Sequence, residues 1–184
     1  LAAGVEADVA GVRHLLAAVP EAVVASSCSK NFGLYRERAG AVYFIAATRA
    51  QADAVQTQAM AAARQIYSMP PAHGAAIVST ILGDAALRAD WLEELGEVRG
   101  RINAMRTLLA ARLAGNAAGK DFSFITRQKG MFSYFGITPQ QVTRLREEFA
   151  VYMMESTRIN LAGITPANID ALASAVHAVL EPAV

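Results

Sequence analysis

The chain has 184 residues, 54% of them hydrophobic and 18% charged, which suffices for one sizeable domain or two small ones and excludes a disordered tail. Its formal net charge of +1 gives no indication of the broad basic surface that binds nucleic acid or anionic lipid. No apolar run in the sequence approaches the roughly 20 residues that a membrane-spanning helix needs.

The single cysteine, Cys28, excludes an internal disulfide framework and is typical of a reducing compartment. The first residues, LAAGVEADVAGV, lack the basic and then apolar layout of a signal peptide. They also lack an initiator methionine, which suggests a piece of a longer protein. We therefore expect a soluble cytoplasmic protein that binds neither nucleic acid nor membrane.

The first part of the chain alternates between helices and short strands. Apolar residues at helical spacing predict a helix over residues 7–19 that ends before Pro20. The segments EAVVAS (21–26) and AGAVYFIAA (39–47) predict two buried strands, and the continuous apolar run of the second is typical of a sheet covered on both faces. Between them lies SSCSKNFGLYRERAG, a polar segment that contains a lysine and two arginines.

Three helices are predicted to follow. Ala, Gln and Met residues favour a helix from Arg49 to about Tyr67, the prolines and glycine of SMPPAHGA end it, and another helix starts near His73. The longest helix begins at the N-cap Asp84 and ends at the glycine-rich AGNAAGK. Its buried face is predicted from a stripe at steps of three and four residues: Trp91, Leu95, Val98, Ile102, Met105 and Leu109.

The last part of the chain predicts a smaller unit of strands and helices. FSFITR and MFSYFG predict a hairpin joined by the polar turn QKG, and VYMM and RINLAGI predict two more short strands. Thr138 is the expected cap of a helix with Pro139 at its first position, and TPANIDALASAVHAVL predicts a closing amphipathic helix.

The order of these elements predicts an α/β fold in two domains, residues 1–97 and residues 98–184. The first domain poses a difficulty, because two strands cannot form a sheet that is covered on both faces. We therefore expect sequence upstream of the chain to supply further strands.

Lys30 lies between the two predicted strands, among serines and shortly before Arg38. A lysine amine in a partly dry pocket acts as a nucleophile toward a carbonyl, and serine hydroxyls with an arginine suit a phosphate dianion. Pyridoxal phosphate carries both groups and is bound by a lysine as a Schiff base. On the residue pattern alone, a solvated surface lysine beside a serine-rich turn is the more frequent explanation.

Four segments carry a more specific signal: SSCSKNFGLYRERAG, ARQIYSMPPAHGA, FSFITRQKGMFSYFGI and STRINLAGIT. They resemble, in that order, the lysine segment, a helix-to-turn segment, the small-domain hairpin and the substrate-arginine strand of the aspartate and aromatic aminotransferases of fold type I. The resemblance covers nearly the whole chain. It implies the C-terminal part of the fold type I pyridoxal-phosphate transferase fold, namely the end of the large cofactor domain and a small α+β domain.

The resemblance implies roles for the residues of the lysine segment. Lys30 would bind pyridoxal 5'-phosphate as a Schiff base and then carry the proton between the substrate Cα and the cofactor. Ser27, Ser29 and Arg38 would bind the cofactor phosphate. For Arg38, an ordinary ion pair with Glu37 is the alternative.

The resemblance also implies substrate-binding residues in two further segments. Arg158 would bind the substrate α-carboxylate through two parallel hydrogen bonds, with Phe132 packed beside it. Arg64, with Ser68, would reach the neighbouring active site of a homodimer and bind the distal carboxylate of a dicarboxylic substrate. No metal site is expected, since the histidines on the predicted helices lack acidic partners at metal-ligand spacing.

The remaining cofactor groups of that family, above all the aspartate that keeps the pyridine nitrogen protonated, precede its lysine segment and have no counterpart in this sequence. We therefore expect the C-terminal half of an aminotransferase that moves an amino group between an L-amino acid, aspartate and/or aromatic, and 2-oxoglutarate. The alternative is a truncated fragment that folds or associates but is not catalytically competent alone. Arg64 favours a dicarboxylate, yet the aromatic members keep the same arginine, so the substrate preference stays open.

Overall fold

A computed structural model describes residues 3–181 of the chain. The outermost residues of the two predicted domains, 1–2 and 182–184, lie outside the described residues. The elements in chain order are α1 (Val5–Asp8), α2 (Ala10–Ala18), β1 (Ala22–Ser27), β2 (Gly40–Ile45), α3 (Arg49–Tyr67), α4 (His73–Gly83), α5 (Ala85–Leu113), α6 (Phe124–Arg127), β3 (Phe132–Tyr134), α7 (Pro139–Phe149), β4 (Arg158–Asn160), a 3-10 turn (Leu161–Gly163) and α8 (Ile169–Leu180). Two compact units result, one formed by Val5–Leu95 and the other by the described residues of Leu1–Gly4 and Gly96–Val184.

The first unit is built around an antiparallel hairpin. Strands β1 and β2 pair from Ala22↔Ile45 to Ser27↔Gly40, so residues 28–39 form the loop that joins them. Helix α3 packs against β2 and begins with a capping box, in which the Thr48 hydroxyl accepts a hydrogen bond from the Gln51 N–H. The predictions of both strands and of α3 and α4 are confirmed.

The prediction that these two strands are buried on both faces is wrong for the described residues. Val23 and Tyr43 are 67% and 56% exposed, and Val42 is also exposed. The physical reason is that a two-stranded sheet has two open edges and, in this unit, α3 is the main element packed on it, so side chains on its faces stay uncovered. The predicted N-terminal helix is present but is interrupted at Val9, which separates α1 from α2.

The second unit contains the apolar core of the described chain. The predicted stripe of α5 is buried in its C-terminal half, where Ile102, Met105 and Leu109 contribute to the core. Helices α7 and α8 pack against each other, and the predicted cap of α7 is confirmed by a capping box between Thr138 and Gln141. None of the described helices has both the length and the apolar character to cross a membrane.

The predicted hairpin of FSFITR and MFSYFG is wrong. The first segment forms the short helix α6, because the Asp121 carboxylate accepts hydrogen bonds from the N–H and the hydroxyl of Ser123 and so starts a helical turn. The second segment forms β3, which pairs antiparallel with β4 instead. The predicted strand VYMM is also wrong, since residues 151–154 have no ladder partner, and RINLAGI is a strand only over Arg158–Asn160.

Candidate functional site

Lys30 lies in a tight turn at the neck of the β1–β2 hairpin. The Cys28 N–H donates to the Ala39 carbonyl at 3.0 Å, and the Cys28 carbonyl accepts from the N–H groups of Phe32 and Leu34 at 3.3 Å each. These bonds close the turn around Lys30. Its side chain is exposed, and the Nζ atom lies 4.1 Å from the centroid of the Tyr35 ring, a cation–π contact.

The hairpin loop and the adjoining end of β1 carry the other groups that were predicted to bind a phosphate. The Ser27 hydroxyl donates to the Ser29 Oγ at 3.0 Å and accepts from the Ser29 N–H at 3.1 Å. Arg38 donates from Nη1 to the Tyr35 carbonyl at 2.9 Å, and none of the ion pairs within residues 3–181 joins it to Glu37. One short stretch thus holds an amine, two hydroxyls and a guanidinium, which is the donor set that a phosphorylated aldehyde requires.

Two residues outside the loop hold it in place, and sequence reasoning missed the role of both. The Trp91 indole of α5 donates to the Asn31 carbonyl at 2.7 Å and stacks on the Phe32 ring, with centroids 4.6 Å apart. Gly74 of α4 packs so closely on the loop that a Cβ there would lie 2.8 Å from the Cβ of Glu37. In the sequence, Trp91 was recognisable only as one position of the amphipathic stripe of α5. Gly74 was recognisable only as part of a segment that ends a helix, so neither contact with the loop could be predicted.

Arg38 itself has a strained backbone. Its φ of 52° lies in the left-handed region, which residues with a side chain rarely adopt. Such strain persists only where surrounding contacts enforce it, and it concentrates at binding sites. The strained backbone of Arg38 is therefore consistent with a binding role for this loop.

Arg158 and Phe132 lie side by side in the second unit. The Arg158 guanidinium carbon is 4.8 Å from the centroid of the Phe132 ring, and Nη2 donates to the Met154 sulfur at 3.2 Å. Both residues line a cleft of about 700 Å³ whose lining also includes residues 150–154. A half-buried guanidinium over an aromatic ring, at the wall of such a cleft, is suited to bind a carboxylate.

Arg106 of α5 lies close to this pair and was not singled out by the sequence. It is only 3% exposed, and its guanidinium donates to the Ile125 carbonyl, the Gly130 carbonyl and the Ser133 hydroxyl at 2.6–2.8 Å. Burial lowers the pKa of Arg106 from its ordinary value. A charged residue in a helical sequence is usually exposed to solvent. The burial of Arg106 could therefore be recognised only from the fold.

Arg64 and Ser68 lie on a separate element, at the end of α3. The Ser68 N–H donates to the Arg64 carbonyl at 3.0 Å, and Ser68 has a φ of 60°. Both residues are exposed. They share this end of the helix with exposed apolar side chains, namely Met60, Ile66, Tyr67 and Met69.

Within residues 3–181, no group of three or more His, Cys, Asp or Glu side chains is arranged to hold a metal ion. The candidate site residues lie in three places in the structure. Lys30, Ser27, Ser29 and Arg38 lie at the hairpin neck, Phe132 and Arg158 at the cleft, and Arg64 and Ser68 at the end of α3.

Comparison with known proteins gives consistent results. The family model "Aminotransferase class I and II" matches residues 2–176. The chain is 51% identical to an aspartate aminotransferase of Escherichia coli (strain K12) over 97% of its own length and 45% of the relative's, and 44% identical to an aromatic-amino-acid aminotransferase of Paracoccus denitrificans over 94% and 44%. It therefore spans less than half the length of these relatives.

Solved structures that resemble the chain are also aminotransferases. An aromatic-amino-acid aminotransferase from Burkholderia pseudomallei, covalently bound to pyridoxal phosphate, is 48% identical and superposes with a TM-score of 0.88. The match covers 96% of this chain and 44% of that one. A mitochondrial aspartate aminotransferase from Trypanosoma brucei is 39% identical, with a TM-score of 0.85, over 91% and 44% of the two chains.

Proposed function

The chain belongs to the class I and II aminotransferase family, and we propose that it is the C-terminal part of a pyridoxal-phosphate-dependent aminotransferase active in amino acid metabolism. The observation that carries the proposal is the hairpin neck, a short stretch that contains Lys30, the Ser27 and Ser29 hydroxyls and the Arg38 guanidinium. The Burkholderia pseudomallei relative, whose cofactor is covalently bound, supports the same cofactor for this chain.

The residues of the neck fit that cofactor. Lys30 supplies the amine that bonds to the aldehyde carbon, and Ser27, Ser29 and Arg38 supply hydrogen-bond donors and positive charge for the phosphate. When bound, the pyridine ring of the cofactor withdraws electrons from the substrate Cα. The Lys30 amine would take the proton from the substrate Cα and return it, as a general base and acid.

Arg158 is the proposed binding residue for the substrate α-carboxylate. Its guanidinium can donate two parallel hydrogen bonds to a carboxylate, which fixes both the position and the orientation of the substrate. The Phe132 ring supports the guanidinium from one face at 4.8 Å. This contact limits the directions in which the arginine can turn.

Arg64 and Ser68 are proposed to bind the distal carboxylate of a dicarboxylic substrate in the active site of a partner subunit. The exposed apolar side chains at the same end of α3 support an interface there, and hence a homodimer. The substrates are then an L-amino acid and 2-oxoglutarate. Relatives named for aspartate and for aromatic amino acids both match, and Arg64 makes aspartate our first choice.

The proposal also includes a domain boundary and a cellular location. Residues 1–97 are assigned to the large cofactor domain and residues 98–184 to the small α+β domain. The compact units of the structure divide between Leu95 and Gly96, which supports this boundary, whereas residues 3–4 group with the second unit. The single cysteine supports a cytoplasmic location, because reducing compartments disfavour disulfides.

A second candidate is a fragment that folds or associates but does not catalyse transamination alone. The exposed two-stranded sheet favours it, since Val23, Val42 and Tyr43 lack the cover that a completed sheet provides. The chain also spans only 45% of its Escherichia coli relative. Both readings agree that the 184-residue chain by itself has little or no activity.

An activity comparison tests the proposal. A protein extended at its N-terminus to the length of the relatives is expected to transfer the amino group of aspartate to 2-oxoglutarate. Arg64→Leu should lower kcat/KM for aspartate about tenfold or more and change that for phenylalanine much less, because only aspartate offers a second carboxylate. Arg49→Leu, on the same helix, is the control and should change neither value.

The outcome that would contradict this proposal is an extended protein without transamination activity toward either substrate. A preference for phenylalanine of about tenfold or more in the unsubstituted protein would refute aspartate as the first choice and leave the reaction class intact.

A further inference from the structure

Arg106 is a buried cation whose close partners are all uncharged. Three hydrogen bonds, to the Ile125 carbonyl at 2.8 Å, the Ser133 hydroxyl at 2.6 Å and the Gly130 carbonyl at 2.6 Å, join α5 to the segment 125–133. A buried charge is costly unless its donors are hydrogen-bonded. Both terminal nitrogens of Arg106 donate to this segment, whereas Nε has no hydrogen-bond partner among residues 3–181, so the fixed geometry of the guanidinium restricts the positions in which the segment can accept these bonds. Arg106 therefore fixes the position of the segment.

Phe132 lies within the part of the segment that Arg106 holds. The Gly130 carbonyl precedes it and the Ser133 hydroxyl follows it, and both accept from the same guanidinium. Strand β3 begins at Phe132. The same guanidinium also donates to the Phe132 carbonyl, at 3.5 Å. The chain around the Phe132 ring is therefore anchored to α5 by two backbone carbonyls and by the Ser133 side chain.

The ring in turn contacts Arg158. In the β3–β4 ladder, Phe132 pairs with Asn160 and Tyr134 pairs with Arg158, so Phe132 and Arg158 are diagonal neighbours on adjacent strands. The Arg158 guanidinium carbon lies 4.8 Å from the ring centroid. A displacement of Phe132 changes the surface on which this guanidinium rests.

We propose that Arg106 is a positioning residue for substrate binding: by anchoring the backbone around Phe132, it places the aromatic ring that orients Arg158 toward the substrate carboxylate. The inference rests on the proposed function in one respect, that Arg158 binds the carboxylate. Arg106 itself touches no substrate, because it is enclosed in the core.

The first test needs no activity and uses the 184-residue chain. An aromatic ring shifts the NMR signals of a guanidinium above its face, so the Arg158 side-chain signals report the contact directly. Phe132→Leu removes the ring and defines complete loss of the shift. Arg106→Lys replaces the planar guanidinium, with its several donors, by a single ammonium group. It should move the Arg158 signals at least about halfway to the positions they have in Phe132→Leu.

Arg112→Lys is the matched control. Arg112 lies on the same helix and pairs with the exposed carboxylate of Asp170 at 2.6 Å, so its replacement should leave the Arg158 signals unchanged. If Arg106→Lys does not fold, Ser133→Ala, which removes one acceptor, should shift the signals in the same direction. Arg158 signals that stay at their original positions in the folded variant overturn the proposal.

The second test separates positioning from mere support of the fold. In the extended protein, Arg106→Lys should raise KM for aspartate and for 2-oxoglutarate about fivefold, with kcat changed less than about twofold. A purely structural role predicts a lower unfolding temperature and less active protein with KM unchanged, and that result overturns the proposal. If the unsubstituted extended protein is inactive, the proposed function fails, while the NMR comparison still decides whether Arg106 places Phe132 against Arg158.

Discussion

Gly74 lies in the first turn of α4, where the fold leaves no room for a side chain. A Cβ at this position would lie 2.8 Å from the Cβ of Glu37 and 2.9 Å from the Cβ of Ala39, the residues on either side of Arg38. The requirement is for space, because Gly74 is helical. The close approach of α4 thus lies on both sides of Arg38, the residue with the strained φ of 52°.

Gly74→Ala should displace this loop and weaken cofactor binding. We expect a loss of about 1–3 kcal/mol in the free energy of unfolding, as for other overpacked sites. Arg38 should move with the loop, so the dissociation constant for pyridoxal phosphate, measured by absorbance titration of the extended protein, should rise. Gly83→Ala, on the same helix with open space around it, is the control and should be neutral or slightly stabilising. Equal stability and affinity in the two variants would show that the close approach is unimportant.

At the scale of elements, helix α5 anchors the turn that carries Lys30. Its Trp91 donates to the carbonyl of Asn31 and stacks on Phe32, and these two residues directly follow Lys30 in the chain. The hydrogen bond holds the backbone at Asn31 and the stacked rings hold the Phe32 side chain, whereas neither contact involves the exposed lysine side chain. The position of the amine thus depends on contacts between residues far apart in sequence.

Substitutions at Trp91 should separate the two contacts. Trp91→Phe keeps an aromatic ring and removes the donor, and it should raise the dissociation constant for pyridoxal phosphate about threefold to fivefold. Trp91→Leu removes both contacts and should raise it about tenfold or more. Leu92→Ala, at the adjacent and more exposed position, serves as the control. Affinities of both Trp91 variants that match the control would contradict an anchoring role.

The helices could be predicted because caps and apolar spacing are signals within a few residues. Contacts between residues far apart in the sequence could not be predicted. The caps at Asp84 and Thr138 act within a few residues, and the structure confirms them. It confirms the stripe of α5 as buried in its C-terminal half only. FSFITR resembled a strand because its apolar residues suit either element. The structure forms a helical turn there, which begins where the Asp121 carboxylate accepts from the Ser123 N–H. The Ile125 carbonyl in this turn accepts from the Arg106 guanidinium of α5, 19 residues away in the sequence.

The same distinction holds for the candidate site. The site residues of the lysine segment could be proposed from the sequence because they are contiguous in the chain, and their roles stay a prediction. Trp91 could not, since its partner Asn31 is 60 residues away, and neither could the enclosure of Arg106. Such supporting residues become visible only when the fold brings the elements together.

At the scale of the whole molecule, the candidate groups are divided between two compact units. The unit of Val5–Leu95 carries the Lys30 loop and the end of α3, and the other carries the Arg158 cleft and the main apolar core. The chain spans 45% of its Escherichia coli relative, and its two-stranded sheet exposes apolar side chains. We therefore expect specific cofactor binding to require the extended protein.

The most direct test of the central claim is to locate the cofactor on the extended protein. Incubation with pyridoxal phosphate and reduction with borohydride should attach the cofactor permanently to its lysine, and peptide mass spectrometry identifies that residue. Lys120 and Lys129 lie outside the hairpin loop and act as internal controls. The account predicts modification at Lys30 and its loss in Lys30→Ala. Modification spread over Lys120 and Lys129, with Lys30 unmodified, would contradict it.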